Sequence, residues 1–237
     1  MGSEMCIRDS PASKPATQVD AETSIKIQGE RDDFVSRGGH KLAGALDAFP
    51  SIVVAGKRAL DAGASTGGFT DVLLKRDVAE VVAVDVGYGQ MAWEIRQDPR
   101  VTVLDRTNVR HLTIEQIGEP VDLIVADLSF ISLTLVLPAL VSVSRTGADF
   151  LVMVKPQFEV GREKLGAGGV VRDPSLRKAA VQEVADSAYD MGLGCLGVVA
   201  STLPGPSGNV EYFLWLKRGS QTLSEEDINV AIEKGPQ

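Results

Sequence analysis

Little in this chain can hold a metal or a disulfide framework. Its 237 residues include two cysteines and two histidines. Cys6 and Cys195 lie far apart, and no CxxC or Cys/His cluster occurs, which excludes a structural zinc site and a disulfide-stapled scaffold. Cys195 reads as a small buried hydrophobe. Long apolar runs are missing too. The longest, 121–143, is broken by Asp127, Ser129, Ser132, Thr134 and Pro138, which is costly in a lipid-facing helix and natural in a strand followed by a helix. No membrane span is expected. No charged n-region runs into an apolar stretch with a small-residue cleavage site, so the pattern predicts a cytoplasmic protein. No internal repeat is present.

A uniform excess of positive charge is also absent. The formal charge is -8, which argues against a wholly basic nucleic-acid binder. The acids gather at the ends: residues 1–35 carry seven acids against four bases, and 219–237 carry four against one. The stretch between is near neutral. Its bases cluster at Arg37, His40, Lys41, Lys57 and Arg58, and again at Lys155, Arg162, Lys164, Arg172, Arg177 and Lys178. An ordinary solvated surface and a polyanion-binding face fit that distribution equally well.

What is present suffices for one substantial core, with 44% hydrophobic and 24% charged residues. Residues 1–18 lack apolar periodicity and read as a non-native or disordered start. A short strand is expected around Ile25 and Ile27. From Ser36, Leu42, Ala45, Leu46 and Phe49 follow helical spacing up to Pro50. Strands are then expected near 58–62, 80–85, 101–104, 121–127, 149–154, 194–201 and 209–216, with helices near 68–76, 89–97, 132–144 and 175–191. This alternation predicts an α/β doubly wound, mostly parallel sheet with helices on both faces. Only a proline- and glycine-rich turn separates the last two strands, so they must pair antiparallel. Seven strands ending that way suit a class I methyltransferase sheet better than a nicotinamide-binding Rossmann domain. Residues 219–237 read as a flexible acidic tail.

The first strand runs into LDAGASTGGFTDVLL, residues 60–74. It has neither the G-x-G-x-x-G that brings a pyrophosphate to a helix N-terminus nor the lysine of a P-loop. Gly63-Ala-Ser65-Thr66-Gly67-Gly68 instead follows an acid, Asp61, suited to the amino group of a methionine moiety. The glycines let the chain pass close to such a ligand. About twenty residues on, Asp85 ends the second strand, where an acid takes ribose hydroxyls, with Val86 beside it. Tyr88 and Gln90 either border the adenosine or pack at a helix start. Asn108 or Asp105 reaches the adenine edge, or the segment is a plain turn. The fourth and fifth strands end in Asp127 and Lys155, at the edge where chemistry is expected in this fold.

Together SRGGHKL, LDAGASTGGFTDVLL, VDVGYGQ, RTNVRHL, VADLSFISL, VKPQFEVGREK, GGVVRDP and GNVEYFLWL, within residues 19–218, resemble the TlyA family of FtsJ-like ribosomal RNA 2′-O-methyltransferases, also labelled hemolysin A. The resemblance implies S-adenosyl-L-methionine as cofactor, a seat for it at Asp61, Gly63, Ser65, Thr66, Gly67, Gly68, Asp85, Val86, Asn108 and Asp127, and ribosomal RNA or ribosomal subunits as partner. It also implies a catalytic set of Lys41, Asp127, Lys155 and Glu211. A free lysine holds its proton to a pKa of about 10.4, so Lys155 as base needs burial and a second cation, Lys41, to favour its neutral form. Which of the two lysines is neutral stays open; the carboxylates orient. The loop 159–172, with four glycines, either closes over RNA or is plain surface. In the first case Arg37, His40, Arg162, Lys164 and Arg172 meet phosphate. Residues 19–33 are expected to be the remnant of an N-terminal RNA-binding module, with the methyltransferase domain at 34–218. A membrane-active protein and a non-catalytic RNA-binding scaffold are the alternatives, and neither explains the cofactor constellation. An amino-group methyltransferase would carry prolines at Asp127-Leu-Ser-Phe130, and this chain has none there.

Overall fold

The computed structural model describes residues 4–7, 10–11, 25–28 and 33–236, with side chains from residue 33 onward except that of Arg162. The chain divides into two units, Met1–Asp33 and Phe34–Gln237.

In the first unit, β1 (Glu4–Ile7) pairs antiparallel with β2 (Ser10–Pro11) on one side and with β3 (Ile25–Gln28) on the other. Met5 lies opposite Ile27 and Ile7 opposite Ile25. The sequence reading is corrected here. Two strands stand inside the segment read as a non-native or disordered start, because four residues and two are too short for a periodicity to show.

The second unit is built on a sheet of order β6-β5-β4-β7-β8-β10-β9. Its strands are β4 (Arg58–Ala62), β5 (Glu80–Val84), β6 (Val101–Leu104), β7 (Val121–Ala126), β8 (Ser144–Val154), β9 (Leu193–Ala200) and β10 (Tyr212–Arg218). The first five run parallel, and β10 runs antiparallel to both β8 and β9. The helices are α1 (Arg37–Ala48), α2 (Gly68–Lys75), α3 (Trp93–Arg96), α4 (Ile114–Ile117), α5 (Leu137–Ser142), α6 (Pro156–Glu159), α7 (Pro174–Asp190) and α8 (Glu225–Lys234).

Strand side chains alternate between two cores. Leu60, Val82, Ile124, Phe150, Val152 and Leu214 join α7 residues Val181, Val184 and Ala188 on one face. Ala59, Val81, Leu123, Leu151, Met153 and Phe213 join Leu42 and Leu46 of α1 and Phe69, Val72 and Leu73 of α2 on the other. Covering both faces is what lets the central strands be apolar throughout. Each fully buried aliphatic or phenyl side chain contributes roughly 1.5–3 kcal/mol.

Three sequence boundaries move. The helix expected over 89–97 contracts to α3, since Gly89 takes φ +64 and interrupts it. The helix expected over 132–144 contracts to α5, with Pro138 in its first turn and β8 starting at Ser144. The expected acidic tail contains α8. Ser224 and Asp227 form a capping box, and Ile228 and Ala231 are buried, packed into the core that includes Cys195 and Leu216.

Candidate active site

The topology delivers the site. Strands β4, β5, β7 and β8 end at one edge, with the order reversing between β4 and β7, which leaves a crevice there. Because β10 is antiparallel to β8, its first residue, Tyr212, pairs with the last of β8, Val154. Glu211 therefore arrives beside Lys155, although they are far apart in sequence. Lys41 comes from the buried stripe of α1, next to Leu42 and Ala45.

Two ion pairs stand at this edge. Lys41 Nζ lies 2.5 Å from Glu211 Oε2, with side chains 8% and 1% exposed. Lys155 Nζ lies 2.5 Å from Asp127 Oδ1, with side chains 10% and 23% exposed, and donates to Ser129 Oγ at 3.0 Å. The sequence reading took Lys41 as a second cation for Lys155 and gave the two carboxylates orienting roles without assigning either to one lysine. In the structure each lysine has its own carboxylate.

Three cavities meet here. One of about 500 Å³ is lined by Gly63, Ser65, Asp85, Val86, Asn108 and the 127–131 segment, with Val84 and Val136 behind. Its mixture of apolar wall and polar rim suits a nucleoside. A second, of about 380 Å³, brings Arg37, Lys41, Gly63, Ser65, Thr66, Gly68, Asp127 and Lys155 together. A third, also about 380 Å³, joins Lys155 and Glu211 to Phe130, Phe158, Gly168, Gly169 and Asn209.

The glycine turn fits a closely approaching ligand. Gly63 has φ +87, and a Cβ there would lie 2.5 Å from the Asp127 carbonyl oxygen. Asp85 accepts from Ser65 N–H at 2.8 Å and from Gly87 N–H at 2.7 Å, fixing the turn against the end of β5. Asn108 caps the short turn after β6 by accepting from Arg110 N–H. Asp105 is tied to Arg96 at 2.7 Å and is absent from the cavity lining.

Asp61 and Gly67 stand behind the cavity wall. Asp61 is fully buried. Its Oδ2 accepts from Thr70 at 2.7 Å, and its Oδ1 has no partner among the described residues. Burial pushes this carboxyl up to about 7, the Thr70 hydrogen bond opposes that, and the neighbouring Asp127 and Asp85 add to it. The native state thus holds a proton that the unfolded chain has lost between about pH 4 and 7, so stability falls as pH rises through that window. Urea unfolding of wild type and Asp61→Asn from pH 5 to 8 checks this: wild type should lose stability relative to the variant as pH rises, and parallel curves would refute it.

Of the residues expected to meet RNA, Arg37 lines the cavity with the two lysines. Lys164 and Arg172 are exposed on the glycine-rich loop. The side chain of Arg162 lies outside the described residues. His40 packs edge-on against Phe34, centroids 5.0 Å apart, away from the three cavities.

Sequence reasoning did not single out Ser129, Phe130, Phe158 or Asn209. Phe130 is 91% exposed at φ +65, a strained conformation for a phenylalanine, and sits 5.2 Å from the Phe158 ring. Asn209 accepts from Val171 N–H at 2.9 Å and donates to the Gly169 carbonyl at 3.0 Å, tying the glycine loop to the approach to β10. All four lie within quoted motifs, but only folding shows that they share a cavity.

No helix among the described residues is long and apolar enough to cross a membrane, and no group of three or more metal-ligating side chains occurs among them. A profile of the FtsJ-like methyltransferase family matches residues 34–218. A Mycobacterium tuberculosis protein named 16S/23S rRNA (cytidine-2′-O)-methyltransferase TlyA is 58% identical, over 95% of this chain and 86% of its own. The Brachyspira hyodysenteriae protein named Hemolysin A is 37% identical, over 76% of this chain and 75% of its own. The solved structure of a candidate hemolysin from Lactococcus lactis is 37% identical with a TM-score of 0.81, covering 86% of this chain and 99% of that one. With its seven-stranded sheet, its glycine turn and these relatives, the chain belongs to the FtsJ-like methyltransferase family, in the TlyA group.

Proposed function

We propose that this protein uses S-adenosylmethionine to methylate a ribose 2′-hydroxyl of ribosomal RNA, that of a cytidine. The observation that carries the reading is the convergence of Lys155–Asp127 and Lys41–Glu211 where the nucleoside-shaped cavity meets the other two. When bound, the cofactor supplies a methyl group on a cationic sulfur. Gly63, Ser65 and Thr66 would hold its chain, and Asp85, Val86 and Asn108 its nucleoside. Asp61 supports the turn from beneath with a carboxylate oxygen free to meet an amino group.

The chain's own residues must then align a hydroxyl and accept its proton. Lys155 is the base, Asp127 holds its amine, and Glu211 keeps Lys41 in place. Phe130 and Phe158 offer aromatic surface on which a base of single-stranded RNA stacks. Arg37, Lys164 and Arg172 meet phosphates. We read residues 19–33 as belonging to an RNA-binding module and its linker. A ribosomal substrate supports a cytoplasmic location.

Purified protein, cofactor and ribosomal subunits, followed by nucleoside mass spectrometry, test the reading. 2′-O-Methylcytidine is expected. Methylation confined to bases would overturn the ribose acceptor, and vesicle leakage without cofactor would point to a membrane-active protein instead.

A further inference from the structure

We infer that Ser129 is a positioning residue for methyl transfer, one that aims the Lys155 amine; the inference rests on Lys155 being the base. Among the described residues Ser129 alone borders all three cavities, so its side chain stands where cofactor and acceptor meet. Lys155 Nζ donates to its hydroxyl oxygen at 3.0 Å while lying 2.5 Å from Asp127 Oδ1. These contacts hold the nitrogen from two sides.

A neutral primary amine has two N–H bonds and one lone pair. Ser129 takes one N–H bond and the Asp127 carboxylate, 2.5 Å from the nitrogen, restrains the amine on the side it occupies, so the lone pair is what remains for the incoming hydroxyl. Lys155 takes the hydroxyl proton as the oxygen–methyl bond forms and the sulfur–methyl bond breaks, then releases it to solvent as the free amine returns. Without the serine hydroxyl the amine keeps only Asp127 and turns about its terminal carbon–nitrogen bond, so the lone pair loses its aim. Ser129 is exposed, so trimming it removes the contact without opening a core cavity.

The test compares wild type, Ser129→Ala, Ser129→Thr and Lys155→Ala for kcat, KM toward ribosomal RNA, and affinity for S-adenosylhomocysteine. Ser129→Ala should lower kcat about 10-fold, the scale of one lost hydrogen bond at the transition state, with KM and cofactor affinity nearly unchanged. Ser129→Thr, which keeps the hydroxyl, should restore most of the rate. A wild-type kcat in Ser129→Ala, or a loss carried by KM or cofactor affinity, overturns the inference. Full transfer by Lys155→Ala would instead remove the assignment of the base, a separate failure.

Discussion

Lys155→Ala is expected to reduce methyl transfer by roughly 10²–10⁴-fold, the contribution of a positioned general base, while the protein stays folded and binds cofactor. The two outcomes separate because of where the charges sit. Removing Lys155 leaves Asp127 with a side chain still 23% exposed, so water replaces the lost partner at little cost. The lysine supplies no part of the nucleoside-shaped cavity. Single-turnover transfer assays beside calorimetric titration with S-adenosylhomocysteine check both halves. A variant that transfers methyl at the wild-type rate would show that proton removal does not pass through this amine.

The same substitution at Lys41 should act on stability as well. Its partner, Glu211, is 1% exposed, so Lys41→Ala strands a carboxylate that water cannot reach. Breaking a buried pair from one side costs about 3–5 kcal/mol, a large share of the stability of an ordinary domain. The urea midpoint should fall accordingly, and adding Glu211→Gln should recover most of the loss because no charge is then left behind. An unchanged midpoint in Lys41→Ala would mean that the pair does not hold α1 to the approach to β10. Two lysines of similar burial thus differ through the exposure of their carboxylates.

That difference was beyond reach of the sequence, although much else was not. Strands such as VVAV and DLIVA are uninterrupted apolar segments between helical patterns, and parallel strands covered on both faces have to look that way. The short link between β9 and β10 forces their antiparallel pairing and explains why Glu211 reaches the same edge as Lys155. Motif resemblance named the four charged residues, but their partition into two pairs depends on side-chain reach across neighbouring strands. Asp61 shows the limit: an acid before a glycine turn suggested ligand contact, but only folding shows that strand alternation turns it toward α2, where Thr70 holds one oxygen and leaves the other without a partner among the described residues. Helix α8 was hidden by composition. Three acids in its first turn read as a solvated tail, although the Ser224 to Asp227 spacing is that of a capping box and acids favour a helix N-terminus.

Phe130 belongs to the loop after β7 and Phe158 to α6, after β8. Glu159, next to Phe158, accepts from the Ser132 hydroxyl at 2.5 Å and from Leu133 N–H at 3.0 Å, so its carboxylate bolts these two segments together. The two aromatic rings of the third cavity are therefore linked through one carboxylate. In the same cavity the glycine-rich loop is tied down at its far end, where Asn209 holds Val171 and Gly169 and Arg177 Nε donates to the Val171 carbonyl.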